Sequence, residues 1–214
     1  MLNVISFSLW GDNPKYTIGA IRNAHLANSI YSGWMCYFFI DKTVPDHIIT
    51  ELKTINNTKI IYNDIIGDWK SMFWRFKTSY DPAIQRSIFR DTDSRLSLRE
   101  KHAVDEWVNS DKTFHIMRDH PYHKFPILGG MWGMKHNPTY DIKNLLDKFD
   151  ANDRYGTDYE FFIQSLYPLI GDDKIVHDPF FDKKDFPTQR NNKEFVGDVF
   201  DQYENRHSEY HKYL

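Results

Sequence analysis

Two carboxylates one residue apart, Asp91 and Asp93, directly follow an apolar strand-like run ending in Ile88 and Phe89, with Arg90 and Arg95 on either side. In an extended chain side chains alternate with a period of two, so both carboxylates project to one side and converge on a point. Like charges held that close repel unless a cation lies between them. Hard oxygen ligands suit Mg2+ or Mn2+, ions that usually keep positions free for water or substrate phosphate. The stretch Asp-Thr-Asp-Ser also has the composition of a solvated turn.

Other residues along the chain carry chemistry that would complement such a pair. Arg75 sits between Trp74 and Phe76, and a guanidinium braced by rings is suited to fork onto a phosphate. Asp158 falls in the first turn of a helix expected from the capping pattern Thr157-x-x-Glu160, where the helix dipole favours a carboxylate. His177 ends a short strand at 174–176 and offers an imidazole to the same ion. His120 and His123 are too closely spaced, and too short of partners, for a zinc site. Around Gly129, Gly130 and Gly133 the backbone can approach a ligand, and Trp132 could pack on a sugar face or simply be buried.

These residues need a frame. Residues 2–9 read as a strand, 10–14 as a cluster of turn formers, and 15–31 as a helix with Ile18, Ile21, Ala24, Ala27 and Tyr31 on one face. A second strand at 34–40, a helix from Thr43-x-x-Asp46 to about 55, and a third strand at 58–62 follow. Residues 68–76 read as helical, Ser97-x-x-Glu100 caps a helix through 110, and 114–117 forms another strand. A short helix at 141–148 precedes the helix from Thr157, which Pro168 is expected to stop. Phe195, Val199 and Tyr203 make one weak helical stripe, and the chain beyond about 204–206 reads as a frayed tail. Alternating strands and helices predict an α/β protein with a mostly parallel sheet flanked by helices, ligands gathering beyond the carboxyl ends of the strands. The loops after residues 9, 40 and 90 therefore meet at one edge.

Whole-chain properties narrow the function. A length of 214 residues suits one domain with a substantial core. The net charge of −3 with intermixed signs offers no basic face for nucleic acid. The lone Cys36 excludes an intrachain disulfide and fits a reducing compartment. No apolar run is long enough to span a bilayer, and no secretory leader is visible, so a soluble cytoplasmic protein is expected. Aromatic residues make up 16% of the chain, many of them in polar company, as rings that line sugar or base sites are.

Five ordered segments then carry a resemblance: Phe-Ser-Leu-Trp-Gly-Asp-Asn-Pro-Lys-Tyr from Phe7, Met-Phe-Trp-Arg-Phe from Met72, Arg-Asp-Thr-Asp-Ser-Arg from Arg90, His-Ile-Met-Arg-Asp-His-Pro from His115, and Gly-Gly-Met-Trp-Gly from Gly129. Together they resemble GT-A-fold glycosyltransferases, in particular the N-terminal domain of chlorovirus enzymes that build capsid glycans. The resemblance implies a Rossmann-like mixed sheet and transfer of a sugar from a nucleoside-diphosphate donor, with UDP and a hexose or deoxyhexose such as rhamnose suggested, to a glycan or glycoprotein hydroxyl. It implies Mn2+ or Mg2+ held by Asp91 and Asp93 with His177 as third ligand. Leu9, Trp10, Gly11, Tyr16, Arg75 and Thr92 would face the nucleotide, Asp119, Gly130 and Trp132 the donor sugar, and Asp158 would act as base, as in inverting members. It also implies a host cytoplasmic setting if the chain is viral, and hints that the chain belongs to a longer multidomain one.

Two rivals stand beside this reading. A strand followed by Asp-x-Asp resembles the nucleophile motif of haloacid-dehalogenase-type phosphatases, with Asp91 as nucleophile and Asp93 as acid and base, although Ser94-Arg95 departs from that pattern. A non-catalytic sugar- or nucleotide-binding module would bind a UDP-sugar with metal but neither hydrolyse nor transfer it. Inverting and retaining chemistry are not separable by spacing.

Overall fold

The computed structural model describes residues 1–214. Seven strands form one sheet: β1 (Leu2–Leu9), β2 (Trp34–Ile40), β3 (Thr58–Tyr62), β4 (Ile84–Phe89), β5 (Phe114–Met117), β6 (Trp132–Lys135) and β7 (Lys174–His177). Their order is β3-β2-β1-β4-β6-β5-β7. All pairings are parallel except those of β6 with β4 and β5. Parallel β1, β2 and β4 deliver the loops after residues 9, 40 and 90 to one edge, as the alternating pattern predicts.

The helices α1 (Pro14–Ile30), α2 (Asp46–Thr54) and α3 (Leu98–Val108) pack Ala20, Ala24, Ala27, Ile48, Leu52 and Val104 into a core with Ile5, Phe7, Phe38 and Ile40. A second core, on Phe76, Phe89, Phe114, Trp132, Phe161 and Phe162, joins the sheet to α4 (Ile142–Lys148), α5 (Thr157–Phe161) and α6 (Tyr167–Ile170). Strand β1 serves both sides by alternation. Its residues Ile5, Phe7 and Leu9 enter the first core, while Ser6 and Ser8 turn toward a 3-10 helix, Trp69–Tyr80.

Several local expectations are corrected. Thr43 does not cap α2; its hydroxyl donates to Asp41 and accepts from the amide of Gly11, tying two loops together, and Pro45 precedes the helix instead. Gly156, at φ +85°, precedes α5, and Thr157 lies inside the helix with its hydroxyl accepting from Asn152. Pro168 does not end this helix. A π-helical turn, Phe162–Leu166, carries the chain into α6, whose opening turn holds the proline. Residues 132–135, for which the sequence gives no strand signal, make the reversed central strand β6. The stripe at Phe195, Val199 and Tyr203 is not helical, and the tail is not frayed: a 3-10 turn, Tyr210–Tyr213, docks Tyr210, whose carbonyl lies 3.0 Å from His120 Nε2.

Charges adjacent in sequence separate in space. Arg90 turns into the interior and donates to Glu100 at 2.8 Å and to the carbonyls of Phe89 and Trp132, while the Tyr31 hydroxyl donates to the same carboxylate at 2.7 Å. Glu100 therefore does not close the expected capping box, although Ser97 still caps α3. Breaking a buried pair leaves the other charge uncompensated. Glu100→Ala is expected to destabilise the fold by roughly 3–5 kcal/mol in urea unfolding.

Candidate functional site

A cleft of about 780 Å³ opens over the carboxyl edge of β1 and β4. Leu9, Trp10, Gly11, Tyr16, Arg75, Asp91, Thr92, Asp93, Gly130 and Asp158 all line it. Asp91 and Asp93 stand in a turn rather than in extended chain, with the Ser94 hydroxyl donating to the carbonyl of Asp91 at 3.1 Å. Their shared outlook comes from that turn, a correction to the period-two argument.

The cations that meet them are not their sequence neighbours. Arg75 donates to Asp91 Oδ1 and to the carbonyl of Arg90, and its other terminal nitrogen stands 3.9 Å from Asp158 Oδ2. Lys15, at the start of α1, pairs with Asp93 Oδ2 at 2.7 Å. Arg95 turns away to Glu204. Arg75 is held by β1: the Ser6 hydroxyl donates to its carbonyl at 2.7 Å, and its amide donates to Ser8 Oγ at 3.1 Å.

Glycines make the arrangement possible. A Cβ on Gly130 would collide with the Asp91 carboxylate, and one on Gly129 with that of Asp158 and with Arg75. Absent side chains at 129 and 130 thus let three charged groups share one wall. The Asp158 side chain is only 5% exposed, and burial pushes its carboxyl up to about 6, with the charge of Asp91 adding to the rise against the pull of Arg75. Asp93 is also raised, first by burial and then by the negative charge of Asp91.

Three residues expected at the site lie elsewhere. His177 is buried beside His115, their ring nitrogens 2.9 Å apart, and faces Glu106 on α3. Asp119, fully buried, accepts from Arg99, Arg190 and the amide of Val196. Trp132 packs against Phe89, ring centroids 4.2 Å apart, inside the second core. Burial of each by partners distant in sequence leaves none of them on the cleft.

The cleft also gains residues that no motif indicated. Phe195, Gly197 and Val199 reach it because Val199 bridges to Ser94 and the amide of Phe200 donates to the Asp93 carbonyl at 2.8 Å. Only the unassigned aromatic content hinted at Trp69, Phe125, Tyr155 and Tyr159, which ring one side of the opening.

No family model matches the chain, and no curated protein does. Solved structures do. A glycosyltransferase involved in the glycosylation of the major capsid of PBCV-1 aligns over 84% of this chain and 82% of its own, with TM-score 0.56 at 14% identity. Glucosyl-3-phosphoglycerate synthase from Mycobacterium tuberculosis, solved with Mg2+ and UDP, aligns over 89% of this chain and 72% of its own, with TM-score 0.54 at 10% identity. The chain has a GT-A fold. A 4-diphosphocytidyl-2C-methyl-D-erythritol synthase from Anaerococcus prevotii is similar to the same extent, with TM-score 0.55 at 10% identity over 88% of this chain and 93% of its own. The GT-A frame is thus shared by enzymes of different chemistry, and no helix here is long and apolar enough to cross a membrane.

Whether the residues suit a divalent ion follows from their donor set. Asp91 is 48% exposed to the cleft and close enough to Asp93 to influence its proton affinity, yet no group of three or more His, Cys, Asp or Glu side chains assembles as a metal cage. Two carboxylates fit Mg2+ or Mn2+ in the mode where substrate phosphate and water complete the coordination. They do not fit an all-protein site.

Because its folded-state carboxyl titrates above the ordinary range, Asp158 contributes stability below about pH 4 that is lost as pH rises through about 6. Asp158→Asn is therefore expected to raise stability at pH 7.5 by on the order of 1–3 kcal/mol and to leave it nearly unchanged at pH 4. Thermal unfolding of the metal-free protein at both pH values checks this.

Proposed function

We propose that this chain is a glycosyltransferase that moves a sugar, a hexose or a deoxyhexose such as rhamnose, from a UDP-type donor to a hydroxyl of a glycan or glycoprotein. The observation that carries the reading is Asp158, a buried carboxylate of raised proton affinity, sharing one cleft with the Asp91 and Asp93 pair and linked to it through Arg75. An acceptor hydroxyl must lose its proton as it attacks, and a base titrating near 6 is ionised at neutral pH while still basic enough to receive it. The phosphoryl acceptor of a nucleotidyl transfer is already ionised and needs no such group, which favours sugar transfer among the chemistries that share this fold. The GT-A sheet also speaks against the phosphatase reading.

In the proposed step the acceptor oxygen bonds to the anomeric carbon as the bond from that carbon to the donor diphosphate breaks. The acceptor proton passes to Asp158, and attack from the face opposite the diphosphate inverts the anomeric configuration. Mn2+ or Mg2+ held by Asp91 and Asp93 would supply Lewis-acid stabilisation of the departing diphosphate. Arg75 and Lys15 bring fixed positive charge to the same wall, where a leaving group gains negative charge. Leu9, Trp10, Gly11, Tyr16 and Thr92 form the nucleotide side of the cleft, and Gly130, which leaves room for the Asp91 carboxylate, faces the donor sugar. The M. tuberculosis synthase, solved with Mn2+, UDP and phosphoglyceric acid, supports a metal–diphosphate partnership on this frame.

Two measurements test the reading. UDP with Mn2+ is expected to raise the melting temperature more than UDP alone. Asp93→Ala should abolish that difference, and an equal shift in the variant would remove the acidic pair from ion binding. Asp158→Asn is expected to keep UDP affinity while lowering transfer at least ~100-fold, the low end of general-base catalysis; an unchanged rate would eliminate Asp158 as base.

A further inference from the structure

On one side of the cleft opening lies a belt of rings from three separate segments. Trp69 opens the 3-10 helix, Phe125 comes from the loop before β6, and Tyr155 and Tyr159 flank Asp158 in sequence. Trp69 meets Tyr155 edge-on at 5.4 Å, Tyr155 meets Tyr159 at 6.1 Å, and Phe125 stacks on Tyr159 at 4.4 Å with the planes 21° apart. Trp69, Phe125 and Tyr155 are nonetheless 41%, 39% and 67% exposed. Rings ordered against one another yet left open to water mark an interaction surface.

We infer that this belt is the acceptor subsite and that it takes a neutral saccharide. The inference rests on the transferase reading, because the belt adjoins the proposed base: the Tyr159 amide donates to Asp158 Oδ1 at 3.1 Å. An acceptor lying on the rings would bring a hydroxyl toward that carboxylate. Two features define the acceptor's chemistry. The ring faces suit the C–H faces of a pyranose, while the hydroxyls of Tyr155 and Tyr159, 3.4 Å apart, offer polar partners to its hydroxyl groups. Beside Tyr155 and Asp158 the charge is acidic or already paired. Asp153 accepts from the Trp69 amide at 3.0 Å, Asp158 lies beneath, and the nearby Arg154 is already engaged by Glu160. On that side a phosphorylated acceptor, such as the phosphoglyceric acid bound by the M. tuberculosis synthase, would meet Asp153, Asp158 and the already paired Arg154.

Saturation-transfer NMR on the full chain with UDP and Mn2+ replaced by diamagnetic Mg2+ tests this, using maltohexaose, xylohexaose and mannohexaose as neutral probes and 3-phosphoglycerate as the anionic one. At least one neutral hexaose is expected to receive saturation from the wild type. Its affinity should fall about tenfold in Tyr155→Ala and in Phe125→Ala, a loss the size of one ring contact. UDP affinity should be retained in both, and Tyr62→Ala, which removes an exposed ring on β3 away from the cleft, should change neither. The inference is overturned if no hexaose binds, if hexaose binding survives both belt substitutions, or if only 3-phosphoglycerate binds. Failure of the transferase reading looks different: UDP binding and donor turnover would be absent from the wild type while the belt still held a hexaose.

Discussion

A guanidinium taken out of water must be surrounded by compensating charge and hydrogen-bond acceptors, and Arg75 organises the cleft through that requirement. Its partners are Asp91 on one side and Asp158 on the other, with the Arg90 carbonyl between. The helix that carries it is a 3-10 helix of 12 residues, far longer than is common for a form with poorer hydrogen-bond geometry. External partners hold it: Ser6 and Ser8 on β1 bind the backbone of residues 72 and 75, and Ser87 on β4 donates to the carbonyl of Thr78. Small hydroxyl side chains inside the sheet therefore fix where a distant guanidinium stands.

The same logic of compensation explains why the residues closest to the acidic pair in sequence do not serve it. Arg90 completes a buried group with Glu100 and Tyr31, and Arg95 binds Glu204 and the carbonyls of Thr92 and Ser94. Arg95 thus acts as a strut under the turn, linking it to the C-terminal segment. Asp119 does comparable work one layer away, gathering Arg99, Arg190 and the Val196 amide. These two links bring residues 195–199 over Asp93. The interior ion pairs shape the cleft without entering it.

Electrostatically the cleft has two zones. Around Asp91 and Asp93 the cations Arg75 and Lys15 partly offset the acidic pair, an environment for polyanionic phosphate with its counter-ion. Toward Tyr155 and Phe125 the surface is aromatic, with Asp153 and Asp158 beside it, and compatible with sugar hydroxyls. Asp158 sits at the boundary, its proton affinity raised by burial while Arg75 beside it favours the ionised form. The proposed transfer, which parts a sugar from a diphosphate, calls for such a division.

Most of the strands, α1 and the acidic turn were legible in the order of residues, because hydrophobic periodicity and turn formers act over a few positions and need no knowledge of the rest of the chain. The alternation of strand and helix likewise determined that the loops after β1, β2 and β4 share an edge. Strand β6 was not legible: four residues with a central glycine carry little periodicity, and β4 and β5 supply the pairing that makes them a strand. The roles of Trp132, Asp119 and His177 were decided only in three dimensions, since each is buried by partners brought from elsewhere in the chain. The tertiary structure alone chose Arg75 and Lys15 over Arg90 and Arg95 as counter-charges, because which cation meets a carboxylate depends on where the fold leaves room for it, and local sequence carries no record of that distance.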